Sequence, residues 1–209
     1  ALGEKAEFVK LDVTDEQAAE QFFQDVVAKH GCLHGLVNCA GIGPSAKVIA
    51  KESVHDLAMF SKTLQINVTG TFNMLRFAAD AMSKNTVEAG DEDRGVIVNT
   101  ASVAAFDGQI GQAAYSASKG AVVAMTLPIS RELARHAIRV MVIAPGIMET
   151  PMLKGLPQNV QDALGQMVPY PSRLGRPEEF ARLVAHIAEN SYLNGEVIRL
   201  DGGIRMAAK

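Results

Sequence analysis

Tryptophan is missing from this sequence, and there are only two cysteines, Cys32 and Cys39. These flank an expected strand and do not form a Cys-x-x-Cys pair, which argues against a disulfide framework or a zinc site and points to a reducing compartment. Blocks of like charge are missing too. The 20 Lys and Arg are interspersed with 23 Asp and Glu, so there is no phosphate-backbone footprint and no polybasic anchor, and neither nucleic acid nor membrane is expected as a partner. No apolar run is long enough to span a bilayer, and Ala1–Lys5 lacks the apolar stretch of a signal peptide, so the expected location is cytoplasmic. The 5 histidines show no ligand spacing, and no metal is expected.

What is present suits a globular α/β protein: 48% hydrophobic residues, 21% charged and 18 Gly in 209 residues. That length fits one domain, residues 1–209, able to bury roughly 70% of its unfolded surface. Short apolar strands are expected at Glu7–Leu11, Leu36–Ala40, Val96–Asn99, Ile138–Ile143 and Glu196–Leu200. Between them, helices are expected after a capping box at Thr14–Gln17 with a stop at Gly31, from about Leu57 to Met82, from Ala113 to Arg135, and from Pro177. Strands alternating with helices predict a parallel, Rossmann-type doubly wound sheet. The stretch 147–176 has no clear strand. Its Met148, Met152, Leu153, Leu156, Val160, Leu164 and Met167 suggest an apolar, partly helical substrate lid or a plain structural cover.

The main chemical signal is Tyr115-Ser116-Ala117-Ser118-Lys119, whose spacing of four stacks a phenol and an ammonium on one helix face. Ser102 lies at the C-terminal end of the Val96 strand, where open parallel sheets bind their ligands. An ordinary phenol ionises near pH ~10, too high for a base at neutral pH, and a nearby cation supplies the missing stabilisation. Ser102 is suited to hold an oxyanion. The plain alternative is a core tyrosine, a solvated lysine and a turn serine. Gln109, between Ser102 and Tyr115, is a candidate donor to a substrate carbonyl or an ordinary loop residue. Cys39 reads as a packing residue, with no histidine in a partner position.

Together, Asn38-Cys39-Ala40-Gly41, Asn67, Ser102, Tyr115-x-x-x-Lys119, Pro145-Gly146 and Asp201-Gly202-Gly203 resemble the short-chain dehydrogenase/reductase family over essentially the whole chain. Asn99–Phe106, Gly111–Tyr115 and Gly195–Gly203 resemble its branch of type-2 3-hydroxyacyl-CoA, or type-10 17β-hydroxysteroid, dehydrogenases. The resemblance implies an oxidoreductase moving a hydride between NAD(H) and a 3-hydroxyacyl-CoA/3-ketoacyl-CoA pair, with an acyl-CoA or steroid as the small-molecule substrate. It implies Asn67, Ser102, Tyr115 and Lys119 as catalytic residues, with Asn67 in a locally irregular part of the long helix. Ser102, Tyr115 and Gln109 would meet substrate. Asp12 and Val13 would meet adenine, Asn38, Ala40 and Gly41 its ribose, and Tyr115 and Lys119 the nicotinamide ribose. Pro145, Gly146, Ile147 and Thr150 would form a nicotinamide clasp. Asp12 also reads as a helix-entry residue. The resemblance further implies a homotetramer, and the mitochondrial matrix if the source is eukaryotic. Hydroxysteroid oxidation and NADPH-dependent 3-ketoacyl reduction stay open as alternatives.

The resemblance breaks at the beginning. The family's phosphate-binding glycine loop, its first strand and the residue choosing between NAD and NADP have no counterpart before Glu7. In the doubly wound order that first strand lies between the Glu7 and Leu36 strands, so the sheet is expected to lack its centre and about fifty residues are expected to lie outside this sequence. Otherwise cofactor binding fails, and the chain is a remnant or a non-catalytic binding module.

Overall fold

The structure, a computed structural model, describes residues 3, 5–87, 92–155 and 157–208. Four parallel strands, β1 (Gly35–Asn38), β2 (Gly95–Thr100), β3 (Ile138–Pro145) and β4 (Val197–Leu200), pair in that order. Leu36 stands opposite Ile97, Ile97 opposite Val140, and Val142 opposite Val197. Parallel strands need crossovers, and helices supply them. Helix α1 (Glu16–His30) precedes β1; α2 (Leu57–Leu64) and α3 (Thr71–Ser83) lie between β1 and β2, α4 (Ala113–Leu133) between β2 and β3, and α5 (Pro151–Lys154), α6 (Gln158–Gln166) and α7 (Pro177–Glu189) between β3 and β4.

Successive strand residues face opposite sides of the sheet. On one face Ile97, Ile138 and Val140 pack against Ala19 and Phe23 of α1 and Leu75, Ala78 and Met82 of α3, and Val142 and Ala144 against Val122 of α4. On the other, Val98, Met141 and Ile143 pack against Ile187 of α7. β3 is covered on both faces, which is why its run Ile138–Ala144 is continuously buried. Each such Ile or Val stabilises the fold by roughly 1.5–3 kcal/mol through apolar burial.

The expected strand at Glu7–Leu11 does not form. That stretch joins no strand ladder among the described residues, and Phe8 is 89% exposed. A strand is held by its neighbours' ladder, and this sequence contains no strand to stand between it and β1. Only Leu11 and Val13 reach the core around α1 and α3. The expected capping box is also displaced. Thr14 gives its N–H and hydroxyl to Asp12, leaving Asp15 to cap α1 through Ala18 N at 3.0 Å. Gly31 ends α1 with φ 81, as read from the sequence. The long helix is interrupted by a π-helical turn, Gln65–Gly70, between α2 and α3. The strand expected to reach Ala40 ends at Asn38, and α4 gives way after Leu133 to a 3₁₀ turn, Ala134–His136.

Candidate active site

The site residues follow the C-terminal ends of β1, β2 and β3, the end at which open parallel sheets hold ligands. Beyond β2, Ser102 is extended (φ −166, ψ 155), and its Oγ accepts from Ala104 N at 3.1 Å, capping the 3₁₀ turn Val103–Ala105. Tyr115 lies in the first turn of α4 and Lys119 one turn later. Lys119 is 5% exposed, and its Nζ donates to the Thr100 carbonyl at 2.7 Å and stands 5.8 Å from the Tyr115 ring centroid. Burial pulls the ammonium from 10.5 to about 8, with Cys39 opposing that shift. It therefore stays mainly protonated at neutral pH. An ammonium has three donors, and among the described residues only Thr100 accepts one.

The loop after β1 closes over this cation. A Cβ placed on Gly41 would lie 3.1 Å from Asn67 Oδ1 and 3.5 Å from Lys119 Nζ, and one on Gly43 would lie 3.4 Å from the Tyr115 ring. Asn67, in the π-helical turn and 1% exposed, clasps that loop. Its Nδ2 donates to the Ile42 carbonyl at 2.8 Å, and its Oδ1 accepts from Ile42 N at 2.8 Å. Nδ2 also donates to Ser118 Oγ at 2.9 Å, tying the turn to α4. The Asn67 carbonyl accepts from Thr71 Oγ1 at 2.8 Å.

The remaining residues singled out from the sequence lie as follows. Both bonds of the Asp12 carboxylate go to Thr14, which holds it below its usual range, and Val13 covers Gly70. Asn38 is buried, its Nδ2 donating to Asn99 Oδ1 at 2.9 Å, while Ala40 and Gly41 are exposed. Pro145 ends β3. Gly146 N donates to the Leu200 carbonyl at 2.9 Å, the Ile147 carbonyl accepts from Gly175 N at 2.9 Å, and Thr150 Oγ accepts from Leu153 N at 3.3 Å. Gln109 donates to the Ala207 carbonyl at 3.0 Å. The two ends of the stretch 147–176 meet where Met148 bridges Gly175. Within it α5 and α6 form, and a cavity of about 220 Å³ opens at its base beside Ile147, Met148, Arg173 and Asp201. Leu156 lies outside the described residues, as does the Met152 side chain. Ile204 is buried within the chain itself.

Three contributors escaped sequence reading. The Thr100 carbonyl holds Lys119, but a backbone acceptor has no residue signature. Ser118 lies inside the Tyr-x-x-x-Lys segment and was legible only as an unassigned polar residue on a buried helix face. Asn99 is fully buried with its Nδ2 unpartnered, and an Asn ending an otherwise β-branched strand was the available clue. No group of His, Cys, Asp or Glu among the described residues is able to hold a metal.

A family model described as enoyl-(acyl carrier protein) reductase matches residues 1–205. The chain belongs to the short-chain dehydrogenase/reductase family. It is 52% identical over 207 residues to "3-hydroxyacyl-CoA dehydrogenase type-2" of Bos taurus, covering 98% of this chain and 79% of the relative. It is 36% identical over 197 residues to "3-oxoacyl-[acyl-carrier-protein] reductase FabG" of Thermotoga maritima, covering 93% and 75%. A crystal structure of 3-hydroxyacyl-CoA dehydrogenase type-2 from Mycobacterium avium superposes with a TM-score of 0.93 at 36% identity, covering all of this chain and 81% of that one. The family is one of oxidoreductases, and the parallel sheet with helices on both faces is its fold.

Proposed function

We propose that the protein transfers a hydride between NAD(H) and the carbon-3 hydroxyl/carbonyl of a 3-hydroxyacyl-CoA/3-ketoacyl-CoA pair. The observation that carries this reading is the buried Lys119 ammonium beside the Tyr115 ring, with two N–H bonds open to a ligand, in a chain 52% identical to a protein of that name. The same site residues fit the ribose and nicotinamide half of the nucleotide. Lys119 offers donors to ribose hydroxyls, the narrow backbone at Gly41 leaves room beside it, and Ile147 and Thr150 follow β3 where the ring would rest. When bound, the nucleotide accepts or donates the hydride.

The residues divide the rest of the chemistry. In oxidation the Tyr115 oxygen takes the proton of the substrate hydroxyl, and in reduction it returns one. The buried ammonium of Lys119 stands beside the Tyr115 ring and supplies the positive charge of the site. Ser102 keeps its hydroxyl hydrogen for the substrate oxygen, because its bond to Ala104 uses only a lone pair. Asn67 holds the loop at Ile42 and so fixes the wall opposite Tyr115. Residues 147–176 serve as the lid over the acyl chain, their Met and Leu side chains adapting to its length.

Three finer points belong to the same reading. NAD is taken over NADP on the likeness to the dehydrogenases of Bos taurus and Mycobacterium avium. A homotetramer would cover exposed Phe72 on α3 and Leu127 on α4. The same reading takes the enzyme to be cytoplasmic, or of the mitochondrial matrix in a eukaryote, with neither membrane nor nucleic acid as a partner; no described helix is long and apolar enough to cross a membrane.

The test is NADH-dependent reduction of acetoacetyl-CoA by the whole gene product, beside Tyr115→Phe, which removes only a hydroxyl. Turnover that collapses in Tyr115→Phe while NADH still binds supports the reading. A folded protein that turns over neither acetoacetyl-CoA nor a hydroxysteroid sinks it.

A further inference from the structure

Arg199, on β4, lies outside the roles described so far, yet its guanidinium ties the loop at Phe106–Asp107 to the chain that follows β4. Nη2 and Nη1 form a fork on the Asp107 carboxylate at 2.5 and 3.4 Å. Nε donates to Asp201 Oδ2 at 2.7 Å, and Nη2 also donates to the Ile204 carbonyl at 3.0 Å. The guanidinium carbon sits 5.3 Å from the centroid of the Phe106 ring. The side chains of Arg199, Asp107 and Asp201 are 21%, 17% and 8% exposed, so this is a largely covered ion cluster.

Each partner leads to a different part of the site. Asp107 opens the loop between Ser102 and Tyr115. That loop is fixed to the first turn of α4 in two ways: Gly108 packs so closely on Ser116 that a Cβ there would be 2.4 Å from Ser116 Oγ, and Gln109 N donates to Gln112 Oε1 at 3.0 Å. The chain after β4 runs along its outer side, with Ile110 N donating to the Ala208 carbonyl at 3.0 Å and Gln109 to that of Ala207. Asp201 leads to the other wall. A Cβ on Gly146 would lie 2.9 Å from both Cα and Cβ of Asp201, so the Pro145–Gly146 turn rests directly on that residue.

We propose that Arg199 is a positioning residue that sets the nicotinamide clasp at Gly146 against the Ser102–Tyr115 loop, holding the hydride carrier and the proton-transfer groups in register. This rests on the functional reading of those two segments given above. The two walls follow different strands, β3 and β2; the planar fork holds Asp107 of the second directly and reaches the first through Asp201, on which Gly146 rests, binding both carboxylates at once. A lysine keeps the charge but cannot bind both in that geometry. Its loss should lower kcat with little change in KM, because a displacement of about 1 Å between reacting groups costs up to roughly 100-fold in rate while substrate binding elsewhere is kept.

The experiment compares the whole gene product with its Arg199→Lys and Asp107→Asn variants. It measures acetoacetyl-CoA reduction and, by mass spectrometry, amide hydrogen exchange in peptides covering 103–112, 145–149 and 201–208. In Arg199→Lys we expect kcat to fall roughly 10- to 100-fold, KM to stay within about twofold, and exchange to quicken in both 103–112 and 145–149. In Asp107→Asn only the first of these segments should loosen. An unchanged kcat, or faster exchange confined to 201–208, overturns the proposal. If Arg199→Lys does not fold, Asp107→Asn decides by the same kcat and by exchange in 103–112. If the unaltered protein fails to reduce acetoacetyl-CoA, the substrate assignment falls, while the exchange pattern still decides the role of Arg199.

Discussion

Lys119 hangs its buried ammonium on the backbone carbonyl of Thr100, 2.7 Å away, so that the end of β2 fixes the cation which faces Tyr115. The arrangement has a cost that pH exposes. Burial lowers the ammonium from 10.5 to about 8, so between those values the unfolded chain holds a proton that the folded chain has released. The penalty is full below pH 8 and fades as pH rises towards 10.5, and its size is about 3 kcal/mol. Urea unfolding of the nucleotide-free protein should therefore show this group's contribution growing from pH 8 to 10. Lys119→Met should flatten that rise while abolishing turnover. An equally steep rise in Lys119→Met would refute the assignment.

How far the sequence revealed this site depends on what kind of group does the work. Tyr115, Lys119 and Ser102 were visible because helical spacing and a strand terminus are local facts. The pairing of Asn67 with Ser118, or of Lys119 with Thr100, is tertiary and leaves no pattern along the chain. The same division explains the fold. β2 and β3 were legible as largely apolar, β-branched runs, interrupted in β3 by Arg139, since both their faces are covered. Glu7–Leu11 has equally good strand composition but no neighbour in this sequence, and composition alone does not make a strand. At α1, Thr14 and Asp15 both suit a cap, and the prior claim of Asp12 on Thr14 decided between them.

Arg139 shows what a buried cation in a strand can do. It is 5% exposed, pairs with Asp93 at 2.5 Å, and donates to the carbonyls of Ile187, Ala188, Asn190 and Leu193 at and beyond the end of α7. Those carbonyls have few other donors, because a helix leaves its last acceptors open. Arg139→Met should cost about 3–5 kcal/mol, the range for breaking a buried ion pair. Chemical denaturation of the variant measures it, and a loss under about 1 kcal/mol would mean water replaces the guanidinium.

The trailing end of the stretch 147–176 is tied to α7 by Arg173 and Glu179. The guanidinium forks onto the carboxylate at 2.7 and 3.0 Å, and Glu179 also accepts from Arg176 N at 2.7 Å. The Arg173 bond, followed by that backbone N–H, pulls the Glu179 carboxyl from 4.5 to about 2. Its stabilisation is present above 4.5 and is lost as pH falls towards 2. Since both side chains are partly open to solvent, we expect only about 1 kcal/mol from it. Glu179→Gln should lower the thermal midpoint at pH 7 and lose that difference near pH 2. A gap that stays constant with pH would show that packing, and not charge, is responsible.

Gly108 and Ser116 give a sharper test of how the loop before α4 is held. A Cβ at 108 would stand 2.4 Å from Ser116 Oγ and 3.3 Å from the Ala104 carbonyl, and that hydroxyl is buried without a hydrogen-bond partner. Removing it relieves an unsatisfied polar group and places alanine, a better helix former, in the first turn of α4. Ser116→Ala should therefore stabilise the protein by about 1 kcal/mol. Gly108→Ala alone should destabilise by about 1–3 kcal/mol through overpacking. In the double variant the two effects should not add, because the closest contact, at 2.4 Å, goes with the hydroxyl and leaves only Ser116 Cβ at 3.2 Å and the Ala104 carbonyl at 3.3 Å. A thermodynamic cycle from urea midpoints reads the coupling directly. If the single effects simply sum, the loop moves away from α4 on its own, and the contact does not hold Tyr115 in place.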